Sequence, residues 1–156
     1  MTDHLQPHSV DPDVMKQFGE ICFLVTQSQL HRNMAFKQIE ARLFHPLRIG
    51  QGRVFSQGAN KPIAYVSWAF VSDEVDAALM KDPNAIRPDE WNSGHNLWFM
   101  EFIAPYGRVR EMVAYLDQHL FNAVSYAKLH RVDANGQQKR IARYYGSQRR
   151  RERSLA

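Results

Sequence analysis

Leu97-Trp98-Phe99-Met100-Glu101-Phe102-Ile103-Ala104-Pro105-Tyr106-Gly107-Arg108-Val109-Arg110 is the stretch on which the fold turns. Its aromatic and branched first half reads as a strand from Leu97 to Ala104, and Pro105-Tyr106-Gly107 stops it. Val109, Met112, Val113, Leu116 and Leu120 then recur at helical spacing, which predicts a helix from Val109 to Leu120. A hairpin lies on either side. Gln51 to Ser56 and Pro62 to Val71 flank the turn Gly58-Ala59-Asn60-Lys61. Val124 to Val132 and Lys139 to Tyr145 flank Asp133-Ala134-Asn135-Gly136. Ser72-Asp73-Glu74-Val75-Asp76 opens like a helix N-terminus, a capping residue followed by acids, for a helix to about Lys81, and Arg87 to Asn96 reads as a polar loop. Two further helices are expected at the start, Asp11 to Gln27 with Asp11 or Asp13 as cap, and a shorter one from Ala35 to Leu43. The order α-α-β-β-α-β-α-β-β argues an α+β fold with a mostly antiparallel sheet flanked by helices.

A chain of 156 residues that is 44% hydrophobic fits one domain with a real core and is not a disordered protein. We divide it into a flexible polar tail over 1–12, a single domain over 13–146 and a basic tail over 147–156. Cys22 is the only cysteine, so no intrachain disulfide forms, and a reducing compartment, the cytoplasm, is expected. The first twelve residues carry no apolar signal region, and no apolar run is long enough to span a membrane. The net charge of +4 is unevenly spread. Eleven lysines and arginines face four acids from Arg108 onward, against nine facing twelve before it.

Two positions invite chemistry. His31, in Ser28-Gln29-Leu30-His31-Arg32-Asn33, stands where the first apolar helix gives out, and Glu101 is the one carboxylate in an otherwise apolar strand. Strict alternation puts Glu101 on the face of Phe99 and Ile103, opposite Trp98, Met100 and Phe102. A carboxylate there is costly unless paired or exposed in a cleft. As a pair, the two could move a proton: the carboxylate accepts from the ring N–H, fixes the tautomer and raises the basicity of the other nitrogen. Alone, such a histidine more commonly caps a helix end or bonds a backbone carbonyl, and such a glutamate more commonly lies at a strand edge in solvent.

The wording of the two segments is specific. S-x-L-H-R-N, followed by W-x-S-G-x-x-x-W-F-x-[D/E]-x-I-A-P-[YF]-G, resembles the RTX-toxin-activating lysine acyltransferases, the hemolysin-activating family, over roughly Phe18 to Tyr145. The resemblance implies a variant of the GCN5-related acetyltransferase fold, whose acyl donor enters beside a central strand. It also implies transfer of a fatty acyl group from acyl carrier protein to internal lysines of an RTX protoxin, in the cytoplasm. His31 would be the base and Glu101 its orienting partner, with Ser28, Arg32 and Asn33 supporting substrate. A lysine amine, with an ordinary pKa of about 10.4, is only about 0.1% neutral near pH 7.4, a cost of about 4 kcal/mol. General-base help typically contributes about 100- to 10,000-fold in rate. The family usually carries aspartate where this chain has Glu101 and tryptophan where it has Met34, and it usually runs on after the last hairpin. Its members resemble dimers, although no heptad or interface stripe is readable here.

Arg108 precedes the predicted helix after the central strand, a place where backbone amides favour phosphate, and is a candidate substrate-binding residue, while Arg32 is the candidate partner of an acid or of the donor's phosphopantetheine phosphate. A single Gly107 there is a weak signal for coenzyme A. Carrier proteins are acidic, and Arg108, Arg110, Lys128, Arg131, Lys139, Arg140 and Arg143 are expected to form their landing surface. Cys22, among Ile21, Phe23 and Leu24, lacks anything that would activate it, which favours direct transfer over an acyl-enzyme. The scattered histidines point to no metal, and no bound cofactor is expected beyond the acylated carrier protein as co-substrate. Rival readings are an acyl-CoA-dependent transferase acting on another amine, and a non-catalytic module that binds carrier protein or toxin. Nucleic acid ranks last, since Arg149-Arg150-Arg151-Glu152-Arg153 carries no aromatic platform.

Overall fold

The structure is a computed structural model, and it describes residues 5–121, 126–132 and 138–145. Helix α1, Pro12–Gln27, begins as expected: Asp11 Oδ1 accepts from the backbone N–H groups of Asp13 and Val14, and Pro12 takes the first helical position, where a missing N–H costs nothing. Ile21, Leu24 and Val25 give it one buried face.

The second helical segment runs past the expected Leu43 as far as Arg48. It comprises α2 (Phe36–Ile39), a π-helical turn (Glu40–Phe44) and α3 (His45–Arg48). Pro46 accounts for the irregularity. It has no N–H to give the carbonyl four residues back, that of Arg42, and its ring presses on that carbonyl. The turn widens, and two side chains of the sheet take up the displaced backbone: Ser67 Oγ donates to the Arg42 carbonyl at 3.4 Å and the Tyr65 hydroxyl to the Leu43 carbonyl at 2.8 Å. Tyr65 is fully buried and lies so close to Gly52 that a Cβ at position 52 would collide with the phenol.

Strands β1 (Gly52–Ser56), β2 (Pro62–Val71), β3 (Asn96–Ile103), β4 (Tyr126–Val132) and β5 (Gln138–Tyr145) form one sheet in chain order. All neighbours are antiparallel except β3 and β4, which run parallel and pair through Leu97↔Ala127 and Trp98↔Lys128. Helix α5 (Val109–His119) makes that crossover, and α4 (Asp73–Lys81), capped by the Ser72 hydroxyl on the Val75 N–H, connects β2 to β3. The expected α+β architecture with a mostly antiparallel sheet is therefore present. The predicted turn at Asp133-Ala134-Asn135-Gly136, the strand start at Val124, and the basic tail lie outside the described residues. The region read as a polar loop holds a 3₁₀ turn (Pro88–Glu90) and a buried Trp91, whose carbonyl and that of Trp68 accept from Gln51 Nε2.

Strand β2 alternates cleanly. Tyr65, Ala69 and Val71 pack toward α1 through α4, while Val66, Trp68 and Phe70 pack toward α5. Strand β3 does not. Ser67 pairs with Glu101 but Trp68 pairs with Phe99, so Met100 is an extra residue, a β-bulge. The bulge corrects the expected alternation. Phe99 and Leu97 face α5, whereas Trp98, Met100 and Ile103 all pack on the opposite side, and Glu101 joins them there rather than sharing a face with Phe99.

Candidate active site

The bulge delivers Glu101 to the place where α1 ends. After Gln27 the chain turns on Ser28, whose carbonyl accepts from the N–H groups of His31 and Arg32, and this turn aims the His31 ring back at the sheet. His31 Nε2 lies 3.2 Å from Glu101 Oε2, and His31 Nδ1 lies 2.6 Å from Ser28 Oγ. Ser28 and His31 are buried and Glu101 is partly so.

Arg42 completes the cluster. From the π-turn its Nε donates to Glu101 Oε1 at 2.5 Å, its Nη2 to the Met100 carbonyl at 3.0 Å, and its Nη1 to the Pro83 carbonyl at 2.8 Å and Asn84 Oδ1 at 3.4 Å. Burial opposes the charge on Glu101, but the hydrogen bond from His31 and the positive charge of Arg42 outweigh it and hold the carboxyl below the usual carboxylate range. An ionised carboxylate only accepts, so Nε2 carries the ring proton and donates to it. In the neutral ring Nδ1 is then the lone pair, and it accepts from the Ser28 hydroxyl. The arrangement has the geometry by which an imidazole can act as an oriented base, with its unprotonated nitrogen facing a hydroxyl. Burial, reinforced by the Glu101 charge, pushes the Tyr65 hydroxyl far above its ordinary value, so it stays a neutral donor.

The other candidates are placed differently. Arg32 and Asn33 are exposed on the loop after His31, and Met34 packs against the α1 core cluster. Arg108 is exposed and left-handed, directly after the left-handed Gly107; its Nε lies 3.6 Å from Glu111. It lines an open cleft of about 530 Å³ together with Phe23, Lys61, Pro62 and Tyr106. Of the expected basic surface, Arg110, Arg131, Arg140 and Arg143 are exposed, whereas the Lys139 side chain lies outside the described residues. Lys128 does not belong to that surface. It is buried and donates to both oxygens of Asp76 at 2.8 Å. Cys22 packs against the α1 core and burial pushes its thiol up, which keeps it un-ionised. Among the described residues, no group of three or more His, Cys, Asp or Glu converges on one point, and no helix is long and apolar enough to cross a membrane.

Sequence reasoning passed over Arg42. Its one local signal is its place four residues before a proline inside a helix, which predicts disturbed backbone but no partner 59 residues further along the chain.

A family model described as the RTX toxin acyltransferase family matches residues 10–145. An uncharacterised protein of Synechocystis is 31% identical over 140 residues, 88% of this chain and 94% of that protein. A lysine-acyltransferase of Vibrio cholerae is 30% identical over 108 residues, covering 69% of this chain and 71% of its own length. A protein-lysine myristoyltransferase of Kingella kingae is 29% identical over 138 residues, covering 86% and 78%.

Proposed function

This chain belongs to the RTX toxin acyltransferase family, and from that membership we propose that it is a cytoplasmic protein-lysine acyltransferase, moving a fatty acyl group from acyl carrier protein to internal lysines of an RTX protoxin. The observation that carries the reading is the arrangement at the end of α1: His31 donates its Nε2–H to Glu101 and presents its Nδ1 lone pair to the Ser28 hydroxyl.

In this reading the lysine ε-nitrogen attacks the thioester carbonyl carbon. As the C–N bond forms, the amine proton passes to Ser28 Oγ while the hydroxyl proton passes to His31 Nδ1. Glu101 stabilises the imidazolium that results, across the 3.2 Å contact. Backbone amides beside β3 stabilise the oxyanion. The intermediate collapses by breaking the C–S bond, and the imidazolium returns its proton to the departing thiolate, leaving an amide and the free carrier thiol. Arg32 and Asn33 flank the acceptor at the mouth of the site. Arg108 meets the phosphate of the donor arm.

The 2.6 Å contact between Ser28 Oγ and His31 Nδ1 favours one second reading, in which Ser28 is itself acylated before the lysine attacks. Intact mass separates the two. An RTX protoxin incubated with this protein and acyl-loaded carrier protein is expected to gain acyl mass, and to gain none with His31→Ala. Full acylation by His31→Ala would overturn the assignment. An acyl mass on the enzyme itself, when the protoxin is omitted, would establish the serine route. Binding of carrier protein without any transfer would indicate a non-catalytic module.

A further inference from the structure

Arg42 donates to four acceptors on this face of the sheet, and none of them is His31. Only 13% of its side chain is exposed. Removing a guanidinium from water to that degree is costly unless its donors are matched, and here Nε, Nη1 and Nη2 all have acceptors. Two of those acceptors belong to consecutive residues of β3. One is Glu101 Oε1, which leaves Oε2 for His31 and removes the carboxylate's freedom to rotate. The other is the carbonyl of Met100, the bulged residue. A peptide unit is planar and trans, so holding the Met100 carbonyl also fixes the Glu101 N–H, which points the opposite way. One planar fork therefore sets both the side chain and the backbone of the residue that orients the base. Its own position is set from the other end by Pro46, through the π-turn, and by Ser67 on the Arg42 carbonyl.

We propose that Arg42 is a positioning residue of the transfer reaction, holding the Glu101 carboxylate and the bulged Met100 peptide in the orientation from which His31 works. The proposal rests on the acyltransfer reading above, and its test has an arm that needs no turnover. In the full chain, Arg42→Gln and Arg42→Lys are compared with the parent by 13C and 15N nuclear magnetic resonance of the Glu101 carboxyl and the His31 ring from pH 3 to 8. Initial rates of protoxin acylation are measured over the pH range in which the protein stays folded. Arg42→Gln is expected to move the Glu101 titration upward by about one pH unit or more, because an opposite charge within contact distance typically lowers a carboxyl by that much. The acid limb of the rate profile should move the same way, with the rate at pH 7 down about 10- to 100-fold. Arg42→Lys restores charge without the fork, so the titration should return toward the parent while the rate recovers only in part. A merely structural role would lower the melting temperature and scale the rate equally at every pH. An unmoved Glu101 titration in Arg42→Gln overturns the proposal, and so does an acylation rate in Arg42→Lys equal to the parent's at every pH, the readout that decides if only that variant folds. Absence of acylation by the parent protein sinks the acyltransfer reading and leaves the resonance arm to show whether Arg42 positions the pair.

Discussion

The same face of the sheet carries two partly buried polar clusters, each with a carboxylate, a cation and a histidine, and they are built to opposite ends. In the first, Glu101 takes Arg42 on one oxygen and His31 on the other, and the second nitrogen of His31 meets a hydroxyl. In the second, Asp76 of α4 accepts from Lys128 on both oxygens and from the Trp98 indole, while His130 stacks on Trp98 at 5.2 Å without touching the carboxylate. His130 Nε2 donates to the Leu79 carbonyl at 2.6 Å, and its buried Nδ1 has no partner among the described residues. The second cluster fastens α4 to β3 and β4. A proton held between a backbone carbonyl and an apolar ring has nowhere to go, whereas one held between a carboxylate and a hydroxyl has a path. The difference lies in what the second ring nitrogen sees, not in the residue types.

That contrast makes its largest claim on the two histidines. His31→Ala should cost about 100- to 10,000-fold in acylation rate with the melting curve little changed, while His130→Asn should leave the rate within a few fold. Equal losses in parallel rate assays would erase the distinction. Next come the carboxylates. Glu101→Ala strands Arg42 and Asp76→Ala strands Lys128, so each should destabilise by about 3–5 kcal/mol in denaturant unfolding, an uncompensated buried cation being the cause. Of the two, only Glu101→Ala should also abolish transfer at temperatures where both remain folded. Gly52→Ala tests the support beneath the first cluster. The added methyl drives Tyr65 off the Leu43 carbonyl, at about 1–3 kcal/mol in the same measurement.

The smallest effect is in pH. Burial lowers the His130 pKa below its ordinary 6.5, with the Arg42 charge in the same direction, against the Leu79 hydrogen bond and the Asp82 charge. Its contribution to stability is therefore complete above pH 6.5 and declines as pH falls toward the folded value. Glu101, lowered from 4.5, contributes fully above that pH and loses its share only as the pH drops further. Thermal melts from pH 7 to 3.5 should show two successive declines, the first absent in His130→Asn and the second absent in Glu101→Gln. A first decline that survives His130→Asn would assign it elsewhere.

Local patterns made much of this readable beforehand. Asp11 and Ser72 were legible as caps because a cap needs only the next three residues, and Pro62 to Val71 was legible as a strand because its aromatic and branched character is continuous. His31 and Glu101 stood out because each breaks an apolar pattern. The facing of Glu101 was misread, since period-two alternation has no way to register an extra residue whose only sign is the partner strand's pairing. Lys128 was misread as surface for a related reason. A lysine beside His130 and Arg131 looks solvated until α4 brings Asp76 against it.

By itself, then, the sequence determined the α+β class, the two hairpins, the central strand entering α5, and two residues fit to share a proton. The elements rest on interactions within a few positions along the chain, and His31 and Glu101 were legible because each breaks a local apolar pattern. Tertiary structure alone decided that Met100 bulges, that Glu101 turns to the face of Trp98, that Arg42 reaches it from a π-turn widened by Pro46, and that Lys128 is buried. Those outcomes depend on pairings between residues tens of positions apart, where burial penalises every unpaired charge and geometry selects which partner answers it.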